Sequence, residues 1–220
     1  QASEATRIPE CVILCRGAGD QQCAAIGAGV IRQGMAEFTV GTAGVMVAHL
    51  DSVDRIKGKN LWWGGHGVPN AWDIEGGAFC LGASLKWWRD NLGLDEVQEA
   101  ESRNTSPYSV MVDKAQESPA GARGLLFHSF LASQVTPYYD ADSRGGLIGL
   151  GNYHTRVDLV RALLGGCAHE MKMVVDAFQS DIDGGISTLR LTGGGTKSAG
   201  FSQIMTDVIG FLSSVISVLS

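Results

Sequence analysis

Two glycine-rich turns, Gly17-Ala18-Gly19 and Gly193-Gly194-Gly195, each stand between a short apolar run and a segment patterned as a helix. Such a joint leaves backbone N–H groups free at a helix N-terminus, where an anion is stabilised. It also limits the chain to folds in which strands open directly onto helices, the α/β and α+β classes. Residues 11–15 (Cys-Val-Ile-Leu-Cys) read as a buried strand, followed by a turn and a helix through about Ile31. Thr188–Thr192 reads as the second strand, with Phe201, Ile204, Met205 and Val208 marking a final helix. Neither turn names a function by itself, since a glycine turn before a helix is often only a structural joint. The first has Gln22 where the dinucleotide fingerprint needs its third glycine, which argues against a Rossmann-type binder, and the second lacks the P-loop spacing to Lys-Ser.

Between these joints the pattern is mixed. Residues 37–40 and 45–50 flank Gly41-Thr42-Ala43-Gly44 and read as a hairpin with a glycine-rich tip. Residues 76–91 read as a helix with Leu81, Leu85 and Trp88 on one face and Gly93 as a stop. The longest helix opens at residues 154–158, with Thr155 as its cap and Asp158 in the capping-box position. Val160, Leu163, Leu164, Cys167, Met171, Val174, Val175 and Phe178 follow as an amphipathic stripe. Thirty glycines are about twice the usual share. They cluster in short runs suited to tight turns and close approach to a ligand.

Composition removes several function classes. A net charge of −6 argues against a nucleic-acid partner, which needs a basic face. An acidic protein can still bind ATP, because backbone N–H groups and Mg²⁺ handle the phosphates. Cys11, Cys15, Cys23, Cys80 and Cys167 are an odd, scattered set, which points to reduced thiols and a cytoplasmic location. No signal peptide or membrane-length apolar run is present, so no membrane partner is expected; residues 204–220 are apolar, but Asp207 interrupts them. Cys11, Cys15 and Cys23 have no zinc spacing, and His169-Glu170 meets Met173 where a zincin needs histidine, so no metal site is expected. Trp62, Trp63, Trp72, Trp87 and Trp88 fit either a sugar-stacking platform or domain packing, with packing favoured; His66 and Trp72 are the residues that could approach a cleft.

The order of short words is more telling than any one of them. Gly19-Asp20-Gln21-Gln22, Gly41-Thr42-Ala43-Gly44, residues 82–90 (Gly-Ala-Ser-Leu-Lys-Trp-Trp-Arg-Asp) and residues 193–198 (Gly-Gly-Gly-Thr-Lys-Ser) occur in one sequence. Gly124-Leu125-Leu126-Phe127, Thr136-Pro137, Arg144-Gly145-Gly146 and His154-Thr155-Arg156 fall between them. This set, over roughly residues 10 to 210, resembles the FGGY carbohydrate kinases, and within them the xylulokinase-like members. The resemblance implies an α/β fold of the actin-like ATPase type, with two ribonuclease H-like domains around a cleft. Residues 1–33 would end the N-terminal sugar-binding domain, residues 34–210 would form the C-terminal nucleotide-side domain, and residues 211–220 would be an atypical apolar tail.

The same resemblance implies roles. Asp20 would be the general base toward the sugar hydroxyl, a task that suits a carboxylate ionised at neutral pH; on position alone it reads equally as a helix N-cap. Gln21 would hydrogen-bond the substrate. Gly41 and Thr42 would meet the ATP phosphates, although the tip also fits an ordinary β-turn. Gly82 and Lys86 would flank the nucleotide, with Lys86 on a phosphate or turned to water. Gly193, Gly194 and Gly195 would form the adenosine turn, with Ser198 or Ala199 at the position where glycerol kinases place an asparagine and Ser198 as the expected contact. ATP and Mg²⁺ are the expected cofactors, and a sugar or polyol, with a ketopentose such as xylulose favoured, is the expected substrate. The Asp-x-Gly-Thr phosphate loop does not occur, Ser133-Gln134-Val135 stands where Gly-Glu-Arg is usual, Arg16 replaces a usual glycine, and the C-terminal small-residue segment is replaced. These departures, with a start at Gln1, lead to the expectation of a fragment inactive alone, completed by an N-terminal half or as a homodimer. The alternative is a non-catalytic binding protein that keeps the fold.

Overall fold

A computed structural model describes residues 2–9, 11–13, 17–210 and 213–215. Helices α1 (Ala2–Thr6) and α2 (Asp20–Gly27) precede strands β1 (Met35–Val40), β2 (Gly44–Leu50), β3 (Trp62–Gly65) and β4 (Trp72–Ala78). Helices α3 (Leu81–Asn91), α4 (Leu94–Ser102) and α5 (Pro107–Ala115) follow, then strands β5 (Leu126–His128) and β6 (Gly146–Ile148). Helix α6 (Arg156–Asp181), β7 (Thr188–Thr192), α7 (Ala199–Ile209) and β8 (Ser213–Val215) complete the order.

The main sheet runs β3-β4-β2-β1-β7-β8. Its first four strands pair antiparallel, with β4 between β2 and the edge strand β3, and β1–β7 and β7–β8 pair in parallel. A parallel pair needs a crossover, and here α3 to α6 lie between β1 and β7 in the chain. Alternation along the strands splits the sheet into two faces. Ala36, Phe38, Met46, Ala48, Ile74, Leu189 and Leu191 point into the large core, against α3, α5, α6 and α7. Val47 points the other way, where it packs with Ala25 of α2 and Val30. β5 and β6 form a separate two-stranded sheet.

Helix α6 forms as its pattern dictates. All eight apolar residues of the expected stripe are buried. The Thr155 N–H donates to Asp158 Oδ2 at 2.8 Å, the backward-reaching half of the capping box. The hairpin, the strand before Gly193 and the last helix also form where expected.

Three boundaries differ. The helix expected over residues 76–91 begins at Leu81, and Gly76-Gly77-Ala78 belong to β4. A Cβ at Gly76 would lie 2.7 Å from Leu61 and 3.1 Å from Phe178, so glycine here admits close packing and does not mark a helix start. The helix after Asp20 stops at Gly27, where the chain turns through Gly29 at φ +77°. The expected strand at residues 11–15 does not form over 11–13, where Ile13 is 85% exposed. Its remainder, including Cys15, lies outside the described residues, as does Arg16. Of the apolar segment 211–220, Ser213–Val215 pairs with β7 at the sheet edge, and the other residues lie outside the described set. Among the described residues no helix is long and apolar enough to cross a membrane.

Candidate functional site

The C-terminal ends of β1 and β7 lie side by side, and the turns that leave them open onto one cavity of about 590 Å³. The hairpin tip after β1 is stitched to the start of α3: Gly82 N–H donates to Gly41 O at 3.1 Å and Ala83 N–H to Thr42 O at 2.9 Å. That approach demands glycine at position 82, because a Cβ would stand 2.5 Å from Gly41 O. The turn after β7 takes Gly193 at φ +86°, with the place of its missing Cβ 2.7 Å from Val40 O. Gly194 has nothing within 4 Å of where a Cβ would be. Ser198 caps α7, its Oγ accepting from Phe201 N–H at 3.3 Å.

Seven residues singled out from sequence line this cavity: Gly41, Thr42, Gly82, Lys86, Gly194, Gly195 and Ser198. Gly193 supports the turn from behind, against Val40. Sequence reasoning missed the wall supplied by α5, where Ser106, Tyr108 and Ser109 line the cavity, and missed Lys197. The available signal was Ser106-Pro107, a cap followed by proline at the first helical position, and Ser106 does cap α5. Lys86 lines the cavity while its ammonium pairs with Asp90 at 2.6 Å. Asp90 also accepts from Arg89 Nε at 2.6 Å, and Arg89 donates to the Tyr108 hydroxyl at 2.9 Å. The hydrogen bonds from Lys86 and Arg89 hold the Asp90 carboxyl below its usual range.

Asp20 and Gln21 are not among the lining residues. They sit with α2 on the opposite face of the sheet. Gly19 occupies the N-cap and Asp20 is the first helical residue, so the N-cap reading of Asp20 is corrected. Its Oδ1 accepts from Gln21 N–H at 2.9 Å, and its side chain is exposed. Gln22 Nε2 donates to Glu75 Oε2 at 3.1 Å, which ties this helix to β4. Burial pushes the Glu75 carboxyl up, and the nearby Asp73 and Asp20 charges push it the same way against the Gln22 hydrogen bond. Burial likewise raises Asp73 and lowers His66, whose ring meets His49 edge-on at 4.9 Å. His66 is thus 9% exposed and packed against His49 on this face, whereas Trp72 packs on Trp63, ring centroids 5.7 Å apart. Trp62, Trp63, Trp72 and Trp87 are exposed to solvent, and only Trp88 is buried in the core. Packing within the domain accounts for Trp88 outright and in part for Trp62, which meets Tyr139, and for Trp63 against Trp72. Among the described residues no three His, Cys, Asp or Glu side chains are grouped to hold a metal ion.

Comparison with known proteins gives this geometry its family. Residues 36–217 match the model of the C-terminal domain of the FGGY family of carbohydrate kinases. Gluconokinase of Bacillus subtilis is 30% identical over 193 residues, 87% of this chain and 37% of that protein. The crystal structure of xylulose kinase from Rhodospirillum rubrum superposes with a TM-score of 0.80 at 26% identity, over 97% of this chain and 41% of that one. Plasmodium falciparum glycerol kinase, solved with ADP, superposes at 0.73 and 25% identity over 90% of this chain and 38% of that one. The chain thus spans under half the length of the relatives it matches. Its sheet and helices have the ribonuclease H-like fold of the actin-like ATPase type found in these kinases. With a family model matching most of its length and a cavity built from the same ordered words, the chain belongs to the FGGY family of carbohydrate kinases and carries their C-terminal domain.

Proposed function

We propose that this chain is the nucleotide-side part of an ATP-dependent carbohydrate kinase, with the adenine nucleotide in the cavity between β1, α3, α5 and the turn after β7. The observation that carries the reading is the convergence of Gly41–Thr42, Gly82–Lys86 and Gly194–Ser198, three separate stretches of chain, on one cavity. Backbone N–H groups at the hairpin tip and the glycine turn are suited to phosphate oxygens, and the start of α3 adds its dipole. Lys86 and Lys197 supply the positive charge. Releasing Lys86 to a phosphate costs little, because its pair with Asp90 is exposed. Mg²⁺ would enter with the nucleotide, held mainly by phosphate oxygens and water.

In this reading Asp20 accepts the proton of the attacking sugar hydroxyl. The hydroxyl oxygen bonds to the γ-phosphorus, the bond from that phosphorus to the bridging oxygen breaks, and ADP leaves. The transition state is loose, so orienting the hydroxyl matters as much as basicity. Asp20 is exposed and has no cationic partner among the described residues, and Gln21, next on the same helix, would hydrogen-bond the substrate. The substrate is a sugar or polyol, with a ketopentose favoured by the xylulokinase-like words. Residues 1–33 would end the sugar-binding domain. Turnover needs both domains to close and exclude water, so these 220 residues alone are expected to bind nucleotide without turnover, and to regain activity only with an N-terminal half.

Calorimetric titration of Mg-ADP into the chain tests the reading. Saturable one-to-one binding is expected. Gly194→Trp should weaken it by about tenfold or more, without unfolding the chain, because position 194 has open space for a side chain. A folded chain that ignores Mg-ADP would overturn the reading and favour a non-catalytic binding protein.

A further inference from the structure

Glu37 is a fully buried carboxylate with no cation to balance it among the described residues. It stands on β1, on the face opposite the large core, in one row with Val47 and Arg190. Arg190 makes no ion pair with it among the described residues, its guanidinium donating instead to Ala28 O. Glu37 Oε1 instead accepts two hydroxyl hydrogens, from Thr39 Oγ1 at 2.7 Å and from Thr192 Oγ1. Its other oxygen is buried without a partner among the described residues. A carboxylate in this setting costs stability, and burial pushes its pKa up. The row needs no charge for packing, as Val47 beside it is apolar and equally buried. The position therefore carries something other than sheet stability.

What it holds is informative. Thr39 and Thr192 are direct partners across the parallel β1–β7 pair. Thr39 lies two residues before Gly41, and Thr192 lies immediately before Gly193. One oxygen thus pins the last residues on this face of the two strands whose turns line the cavity. We propose that Glu37 is a positioning residue for the nucleotide cavity: by tying Thr39 to Thr192 it fixes the tip at Gly41–Thr42 against the turn at Gly193–Gly195. Its consequence for ligand binding rests on the nucleotide reading above. The tie itself does not.

The test uses the whole chain in four forms: wild type, Glu37→Ala, Glu37→Gln and Thr192→Val. Two quantities are read, amide hydrogen exchange along β1, β2 and the two turns, and the Kd for Mg-ADP. In Glu37→Ala, exchange at residues 41–44 and 193–196 should quicken by about tenfold, a loss on the scale of one charged hydrogen bond. Residues 46–50 in mid-strand should keep their protection, whereas a merely structural acid would speed exchange across the whole sheet. ADP binding should weaken by a similar factor. Gln keeps an oxygen acceptor for both hydroxyls and should restore both readings to within about twofold. Thr192→Val, which cuts one of the two bonds, should fall between and serves if Glu37→Ala does not fold. Unchanged exchange at the turns in a folded Glu37→Ala, or Glu37→Gln behaving like Ala, overturns the proposal. If wild type does not bind ADP, the nucleotide reading fails, and the exchange comparison alone decides whether the tie exists.

Discussion

Replacing Glu170 by glutamine should shift the stability balance toward the variant as pH rises, by an amount that vanishes in acid. Glu170 lies inside α6, 2% exposed, with Ser129 Oγ donating to its Oε2 at 2.6 Å and no partner for Oε1 among the described residues. Burial pushes its carboxyl up to about 7 from 4.5, with the Ser129 hydrogen bond opposing. The folded state therefore binds a proton between those values that the unfolded chain releases. Stability from this group is complete below pH 4.5 and is lost as pH rises through about 7. The loss at pH 8.5 is about 3 kcal/mol as an upper bound. Glutamine is neutral at every pH and can still accept from Ser129. It adds an N–H₂ where Oε1 has no partner, which costs about 1–3 kcal/mol but does not depend on pH. The slope is therefore the test. Urea unfolding of wild type and Glu170→Gln at pH 4.5, 7 and 8.5 should give a stability difference that shifts toward the variant by about 2–3 kcal/mol from lowest to highest pH. A difference that stays constant with pH would refute the argument that Glu170 is held protonated by its burial.

The buried Glu96 should behave in the opposite sense. Burial opposes its charge, yet Arg156, bonded to it at 2.6 and 2.8 Å, and Lys114 hold its carboxyl down at about 2. That stability is present above pH 4.5 and lost as pH falls toward 2; screening at the 36%-exposed Arg156 trims it to about 2 kcal/mol. Acid unfolding of wild type should show this loss, and Glu96→Gln should not. Gly193→Ala should cost about 1–3 kcal/mol in thermal unfolding, since φ +86° with ψ 176° is a glycine-only conformation and the added carbon meets Val40. The same variant should weaken ADP binding, whereas an unchanged melting temperature would contradict the strain.

Periodicity and punctuation made much of this molecule legible in advance. The α6 stripe, the hairpin around Gly41–Gly44 and the strand leading to Gly193 rest on local patterns that survive folding unchanged. Where local pattern misled, a tertiary contact had overruled it. Gly76 resembles a helix start in sequence, but it is a strand glycine because Leu61 and Phe178 leave no room for a side chain. The helices α4 and α5 were not foreseen, although Ser106-Pro107 announces the second of them.

The candidate site divides the same way. Glycine turns and their order in the chain were readable because a backbone that must approach another backbone excludes every other residue, as at Gly82 against Gly41. That the three stretches share one cavity was not, since the parallel pairing of β1 with β7 joins residues more than 150 positions apart. Nor could Glu37, Glu170 or the Arg89–Tyr108 contact be read from sequence, because nothing local distinguishes a buried glutamate from a solvated one. Sequence determined which residues could form turns, stripes and caps, for these depend on neighbours within a few positions. Only the tertiary structure decided which charges are buried and what each of them holds, because desolvation and hydrogen-bond partners are properties of packing across the chain.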